Sequence, residues 1–452
     1  MRSPALTAAT RFGLGPEPGG GPSREDLAAE LDHKEAAIVR GPDLATLREA
    51  YVSADRTLRT AARAFRQGGR SEAAEMARDD ARQARNQIMR EAEADEIAAR
   101  YAHGVTTRHP FLERLVLFWS NHFAVEAQKV PVRVVAGNYE REAIRAHVTG
   151  RFGDMLAAAI THPAMLLYLD NARSFGPNSP IGRRRGKSAV NENLARELLE
   201  LHTLGVGGGY EQADINELAL VLTGWSGGME PRARSPVFDR RWHEPGTRTI
   251  LGTRYPQKGE DQLRAVLDDL AAHPSTAAHI AGKFARQFVG DDAPDDLVEA
   301  LRRSFVDTGG DLAELAFTLI AHPAAWVDEP AKVVPPYDFL VATGRALKAA
   351  DVDQRFIRRA AETMGQPMWK PPSPAGWAYK DTDFLGGDSV LERVDFAGIM
   401  VRRYGKGVDA RRLARSLMGD DLDPFVAETV DRAEDRHQAT VLLLMSPPFQ
   451  RR

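Results

Sequence analysis

The stretch Asn191-Glu192-Asn193-Leu194-Ala195-Arg196-Glu197-Leu198-Leu199-Glu200-Leu201-His202-Thr203-Leu204-Gly205 reads as a helix closed by glycine, with leucines wrapped around three carboxylates, an arginine and a histidine. A helix apolar on most sides belongs inside a multi-helical core. Buried charge costs several kcal/mol per ion unless it is paired, hydrogen-bonded or bound to a metal. The stretch is therefore either an internal ion-pair network or a site. At about 100° per residue, Asn193, Glu197 and Glu200 share one ridge. Arg196 lies one turn from both Glu192 and Glu200, while His202 projects on the Ala195/Leu198 side. An imidazole that joins the glutamates must come from another segment, and His122 and His243 are the candidates.

Composition narrows the function classes. The 452 residues carry 60 Lys and Arg against 63 Asp and Glu, a formal charge of −3. That balance argues against a nucleic-acid binder that relies on overall charge. The absence of cysteine excludes disulfides, thiolate metal sites and thiol nucleophiles. Met1-Arg2-Ser3-Pro4-Ala5-Leu6-Thr7 lacks the apolar core of a secretory signal. No apolar run approaches the roughly 20 residues needed to span a bilayer. The expectation is a protein with no membrane span, cytoplasmic by default.

Outward from the central stretch, helix signals dominate. Ser3 before Pro4, and Ser23 before Arg24-Glu25-Asp26, are N-cap patterns. Residues 44–103 read as a charged helical hairpin divided at Gly68-Gly69, either a solvated, ion-paired arm or a partner-binding one. Pro110 to Phe123 is apolar nearly all round, with His122 at its C-terminal end. His109-Pro110, His162-Pro163, His273-Pro274 and His322-Pro323 mark helix-to-helix corners, because proline suits N1 and bars its predecessor from the helical region. The loop 171–190 holds Arg183, Arg184 and Arg185, a solvated cluster or an anion clamp upstream of the helix start at Asn191. Asp214 is placed to cap the next helix. The long segment 226–258 holds Phe238, Trp242, His243 and Glu244, and Val237-Phe238 is expected to pair with Thr249-Ile250-Leu251 as a hairpin. Residues 365–387, rich in proline and carrying Trp369 and Trp377, predict a strap laid across the core.

The expected fold is mainly α, a single large multi-helical domain with a protruding N-terminal helical hairpin, a small β-hairpin element and a proline-rich strap. Residues 1–43 form N-terminal helices and a Gly/Pro linker, 44–103 the arm, and 104–452 the core with the inserted loop and strap. On the central helix, Glu197 and Glu200 with His122 and His243 form a candidate catalytic set. The same four residues suit one divalent metal ion, or the glutamates split their pKa values as an acid/base pair. The ferritin-like Glu-x-x-His pattern is not repeated. The competing reading is a salt-bridge network of Glu192, Arg196, Glu197 and Glu200 with arginines of neighbouring helices. No G-x-S-x-G elbow, Walker loop, H-E-x-x-H or EF-hand loop occurs.

Several strings together resemble a known family. They are Phe118-Trp119-Ser120-Asn121-His122-Phe123, Pro163-Ala164-Met165-Leu166-Leu167-Tyr168-Leu169-Asp170-Asn171, Asn191 through Gly205, Leu222-Thr223-Gly224-Trp225, the His243 loop and Pro371-Pro372-Ser373-Pro374-Ala375-Gly376-Trp377. Running in order along nearly the whole chain, they resemble the bacterial family "domain of unknown function 1800". The resemblance brings no catalytic residues with it. It implies a possible partner, a sulfatase- or alkaline-phosphatase-like protein encoded nearby, with export to the periplasm in complex with that partner. It also implies His-Asp where this chain has His243-Glu244. Two expectations follow: a His/Glu-centred enzyme of hydrolase or oxidoreductase type, or a non-catalytic scaffold or maturation partner.

Overall fold

The computed structural model describes residues 3–68, 70–229, 238–327, 332–378, 380, 382–384 and 386–452. Helix follows helix through most of them, as the periodicity predicts. Ser23 and Asp26 form a reciprocal capping box, and Asp43, Ser71 and Asp311 accept hydrogen bonds from the first turns they precede. At the next-helix start Glu211 is the N-cap, and Asp214 acts from N3, so the expected cap shifts by one turn. Three of the His-Pro corners have a chemical basis beyond proline. His162 Nδ1 accepts from the amide of Ala164 at 3.1 Å, His273 Nδ1 from Ser275 at 3.1 Å, and His322 Nδ1 from Ala324 at 3.3 Å. At the fourth, Glu30 takes the histidine's place and accepts from the amides of Phe111 and Leu112.

The β-element differs from expectation. Arg248–Ile250 pairs antiparallel with Thr253–Tyr255. The turn between them is Leu251-Gly252, with φ of 51° and 74°, the geometry of a tight two-residue hairpin. Val237 lies outside the described residues, and Phe238 instead bridges to Trp225. A local turn with the right backbone twist won over the longer-range pairing.

Hydrophobic burial falls into two clusters. One runs from Ala8 to Ala325 and includes Phe118, Trp119, Phe123, Phe152 and Phe284. The other runs from Val334 to Phe449 and takes in Leu14, Ile97, Tyr101 and Val105 from earlier in the chain. Chains of this length outgrow a single core, which stops enlarging beyond about 250–300 residues. The helix Glu72–Thr106 serves both clusters, with Met89 and Ala92 in the first and Ile97 onward in the second. Trp369 packs against both.

The arm consists of Leu44–Gln67 and Glu72–Thr106 laid along each other. Asp55 is buried between them, 2.6 Å from Arg59 and 3.4 Å from Arg85, and Arg78 covers Phe65. Among its described residues, Met76 is the arm's one large exposed hydrophobic side chain, so the arm presents no apolar stripe. At its base, Glu96 pairs with Arg141 and Arg100 lies 3.0 Å from Glu140. Arg145, fully enclosed, bridges Glu113 at 2.6 Å and Glu140 at 2.8 Å. Burial opposes ionisation of Glu113, but Arg145 outweighs it and holds the carboxyl down to about 2.

Candidate functional site

The central helix is not one regular α-helix. Asn193–Glu197 is α-helical and Leu198–His202 is π-helical, the wider turn that recurs at functional positions. His202 is fully buried, whereas Glu197 and Glu200 are half-buried on another side. Arg196 lies 3.5 Å from Glu192 and 3.5 Å from Glu200, and it donates to Gln212 at 3.0 Å. Burial raises the Glu197 carboxyl, Glu200 adds to the rise and Arg196 opposes it. Only the Glu192–Arg196–Glu200 part of the expected network is present among the described residues, at long distances and partly in solvent, where such pairs contribute little; Glu197 joins no ion pair there.

His122 is joined by His202 rather than by the glutamates. It ends the helix Pro110–His122, and His202 ends the π-turn, so each brings orphaned helix-terminal carbonyls into the buried interior. They satisfy one another. His122 Nε2–H donates to the His202 carbonyl at 3.1 Å, and His202 Nδ1–H donates to the His122 carbonyl at 3.1 Å. With Nε2 committed, His122 Nδ1 is an acceptor, and the Lys283 ammonium donates to it at 3.1 Å. His279 Nε2–H donates to the Leu201 carbonyl at 3.1 Å. Gly205 makes room for that ring, since a Cβ on it would lie 2.7 Å from His279 Nδ1. The two helix ends thus meet through imidazole N–H groups, and Lys283 reaches them through the His122 ring.

Burial, followed by Lys283 and the neighbouring histidines, pushes His122 well below the ordinary imidazole range. Burial and Lys283 hold His202 down to about 3 and His279 to about 4. Burial, with Arg286, lowers Lys283 to about 8. The group therefore contains neutral imidazoles and one lysine close to neutrality.

His243 stands elsewhere. Its Nδ1–H donates to the Thr223 carbonyl at 3.0 Å, and its ring packs edge-on against Phe238. Burial lowers its pKa. The neighbouring Glu244 braces a loop: its Oε2 accepts from the Asn178 amide at 2.8 Å and its Oε1 from the Asn178 side chain at 2.6 Å. Glu197 and Glu200 are neighbours on one helix, while His122 and His243 each make their hydrogen bonds in different surroundings. Among the described residues no three His, Asp or Glu side chains are arranged to hold a metal ion. Arg183, Arg184 and Arg185 are exposed on the short helix Pro180–Arg185, and Arg185 lies over Phe175 at 5.1 Å and Trp242 at 5.6 Å.

One concavity among the described residues was not singled out by the sequence. A cleft enclosing, with its mouth, about 880 Å³ opens between the two hydrophobic clusters. Its first wall comes from Arg114, Leu117, Ser120 and Asn121 on Pro110–His122, with Glu140 and Gln287. Its second comes from Tyr337, Asp338 and the strap residues Gln366, Met368, Trp369, Trp377 and Phe384. The strap is tied down by specific bonds. Asn121 accepts from the Trp377 amide at 2.7 Å and donates to its carbonyl at 3.0 Å, while the Ala127 amide donates to the Trp369 carbonyl at 2.7 Å. The Trp369 indole N–H points to Glu140 at 3.3 Å. Glu140 opens a second π-helical turn, Glu140–Ile144.

Trp369 and Phe384 have φ of 50° and 67°, a left-handed conformation rare for bulky side chains, which costs about 1–3 kcal/mol each and persists where surroundings over-determine it. Two tryptophans in the strap were the available sequence signal; the wall they face is assembled from helices far apart in the chain.

Fold and site together define a mainly α-helical protein with an aromatic-walled cleft between two packed halves. Residues 7–451 match the family described as "Protein of unknown function (DUF1800)", and the chain belongs to that family. No curated protein and no solved structure matches it. No described helix is long and apolar enough to cross a membrane.

Proposed function

We propose that this chain is an enzyme that holds a small polar molecule in the cleft beneath the strap and acts on it by proton transfer, as a hydrolase does. One observation carries this reading: the cleft wall is built on the same two helices as the buried Lys283–His122 pair, which lies behind the lining. Gln287, in the cleft wall, lies one helical turn from Lys283, and Ser120 and Asn121 immediately precede His122. Pockets between packed units with convergent polar groups and perturbed pKa values are where ligands and chemistry concentrate. In this reading Glu140 and Asp338 orient the ligand, and the Lys283–His122 pair supplies or stores the proton. A lysine lowered to about 8 is suited to exchange near neutral pH. Glu197, Glu200 and His243 brace the surrounding structure, and no metal is required of them. The scaffold alternative, with a sulfatase-like partner on the arm, has weaker support because the arm's exposed surface is charged.

The test is untargeted mass spectrometry of a bacterial metabolite extract incubated with the purified chain. The expected result is time-dependent loss of one compound and gain of its product, abolished in Lys283→Met and Trp377→Ala variants that retain the wild-type circular dichroism. Equal turnover by both variants, or none by the wild type, would contradict the reading.

A further inference from the structure

We propose that the cleft's ligand is a neutral, polyhydroxylated ring, a mono- or disaccharide, stacked against the strap's aromatic side chains. The inference rests on the cleft being the working site and adds the class of molecule it takes.

The first support is charge. Among the described residues, four charged side chains line the cleft, Arg100, Arg114, Glu140 and Asp338. Each is already matched: Arg100 lies 3.0 Å from Glu140, and Arg114 pairs with Asp338. A charged ligand would meet like charge beside every opposite one, and would compete with ion pairs already made. A neutral molecule rich in hydroxyls meets acceptors on the carboxylates and donors on the guanidinium groups without breaking either pair.

The second support is the aromatic wall. Tyr139, Tyr337, Trp369, Trp377 and Phe384 contribute to the lining. Two of these, Trp369 and Phe384, belong to the six described non-glycine residues with positive φ. Glycine would make either turn without strain. An aromatic residue in that conformation places its ring in the wall. Such rings offer flat apolar faces, and the C–H face of a sugar ring matches them while its hydroxyl edge faces polar groups.

The third support is unmet hydrogen bonding. Ser120 Oγ is buried in the lining and has no partner among the described residues. Gln287 and Gln366 line the same cleft, and an amide side chain can both donate and accept; Gln366 Oε1 already accepts from the Tyr337 amide at 2.9 Å.

The test is titration of the intact chain with glucose, maltose and cellobiose, and in parallel with glucuronate, glucose 6-phosphate and glucosamine, read by tryptophan fluorescence and calorimetry. The expected result is saturable binding of at least one neutral sugar, at least tenfold tighter than any charged probe. Binding should weaken at least tenfold in Trp377→Ala and recover in large part in Trp377→Phe, with circular dichroism unchanged. Preference for a charged probe, lost in Trp377→Ala, would overturn the neutral class and leave the cleft as the working site. Absence of saturable sugar binding would overturn the inference. Turnover of a non-sugar compound in the metabolite experiment would then show that the cleft reading itself survives.

Discussion

Lys283 lies against His122 and depresses three imidazoles at once, adding to what burial does. Removing its charge in Lys283→Met should raise the His202 and His279 titrations from about 3 and about 4 towards the ordinary imidazole range. The imidazole Cε1–H resonances followed against pH check this, and unmoved midpoints would mean that burial alone sets them. Gly376 is a second pressure point. Its φ is +83°, and a Cβ would lie 2.4 Å from the Asn121 carbonyl oxygen. Gly376→Ala should therefore destabilise the strap by about 1–3 kcal/mol, measured as a lowered urea midpoint. An unchanged midpoint would show that the strap yields without strain.

At the scale of elements, the strap is fastened by the two-way clasp between Asn121 and Trp377. Asn121→Ala removes both bonds and should cost about 1–3 kcal/mol, with faster hydrogen exchange at the Trp377 amide. Unchanged exchange would place the fastening elsewhere. The strap itself was legible, because prolines with two tryptophans mark a segment that packs. The helical arm was legible for the same kind of local reason, an N-cap at each helix start and a glycine break between them. What a regular 100° wheel cannot register is the π-turn Leu198–His202, nor the approach of His202 to His122, which is 80 residues away in sequence. The wheel did separate His202 from the glutamate ridge, and the structure keeps them apart. The hairpin was misplaced because two left-handed residues, Leu251 and Gly252, closed a local turn that strand propensity alone does not reveal.

At the scale of the molecule, the buried imidazoles tie stability to pH. His202 titrates at about 3 and His279 at about 4 in the fold, with His122 also lowered, whereas each titrates near 6.5 when exposed. Below pH of about 6.5 the unfolded chain binds protons that the folded chain refuses, so stability is full above that value and falls as pH drops towards 4. Each such histidine contributes a slope of up to about 1.4 kcal/mol per pH unit. Urea midpoints at pH 7 and pH 5 test the sign; a higher midpoint at pH 5 would contradict it. Glu113, held at about 2, adds a further loss between its unfolded value near 4.5 and pH 2.

The split into two hydrophobic clusters was not legible, because Leu14 and Ile97 join residues beyond Val334 through contacts that no local pattern encodes. That split is also what makes the cleft. The most direct test of the cleft as the working site is native mass spectrometry of the chain after incubation with a small-molecule extract, wild type beside Trp377→Ala. The account predicts a retained small-molecule mass on the wild type that is lost from the variant. The same retained mass on both proteins, or none on the wild type, would contradict it.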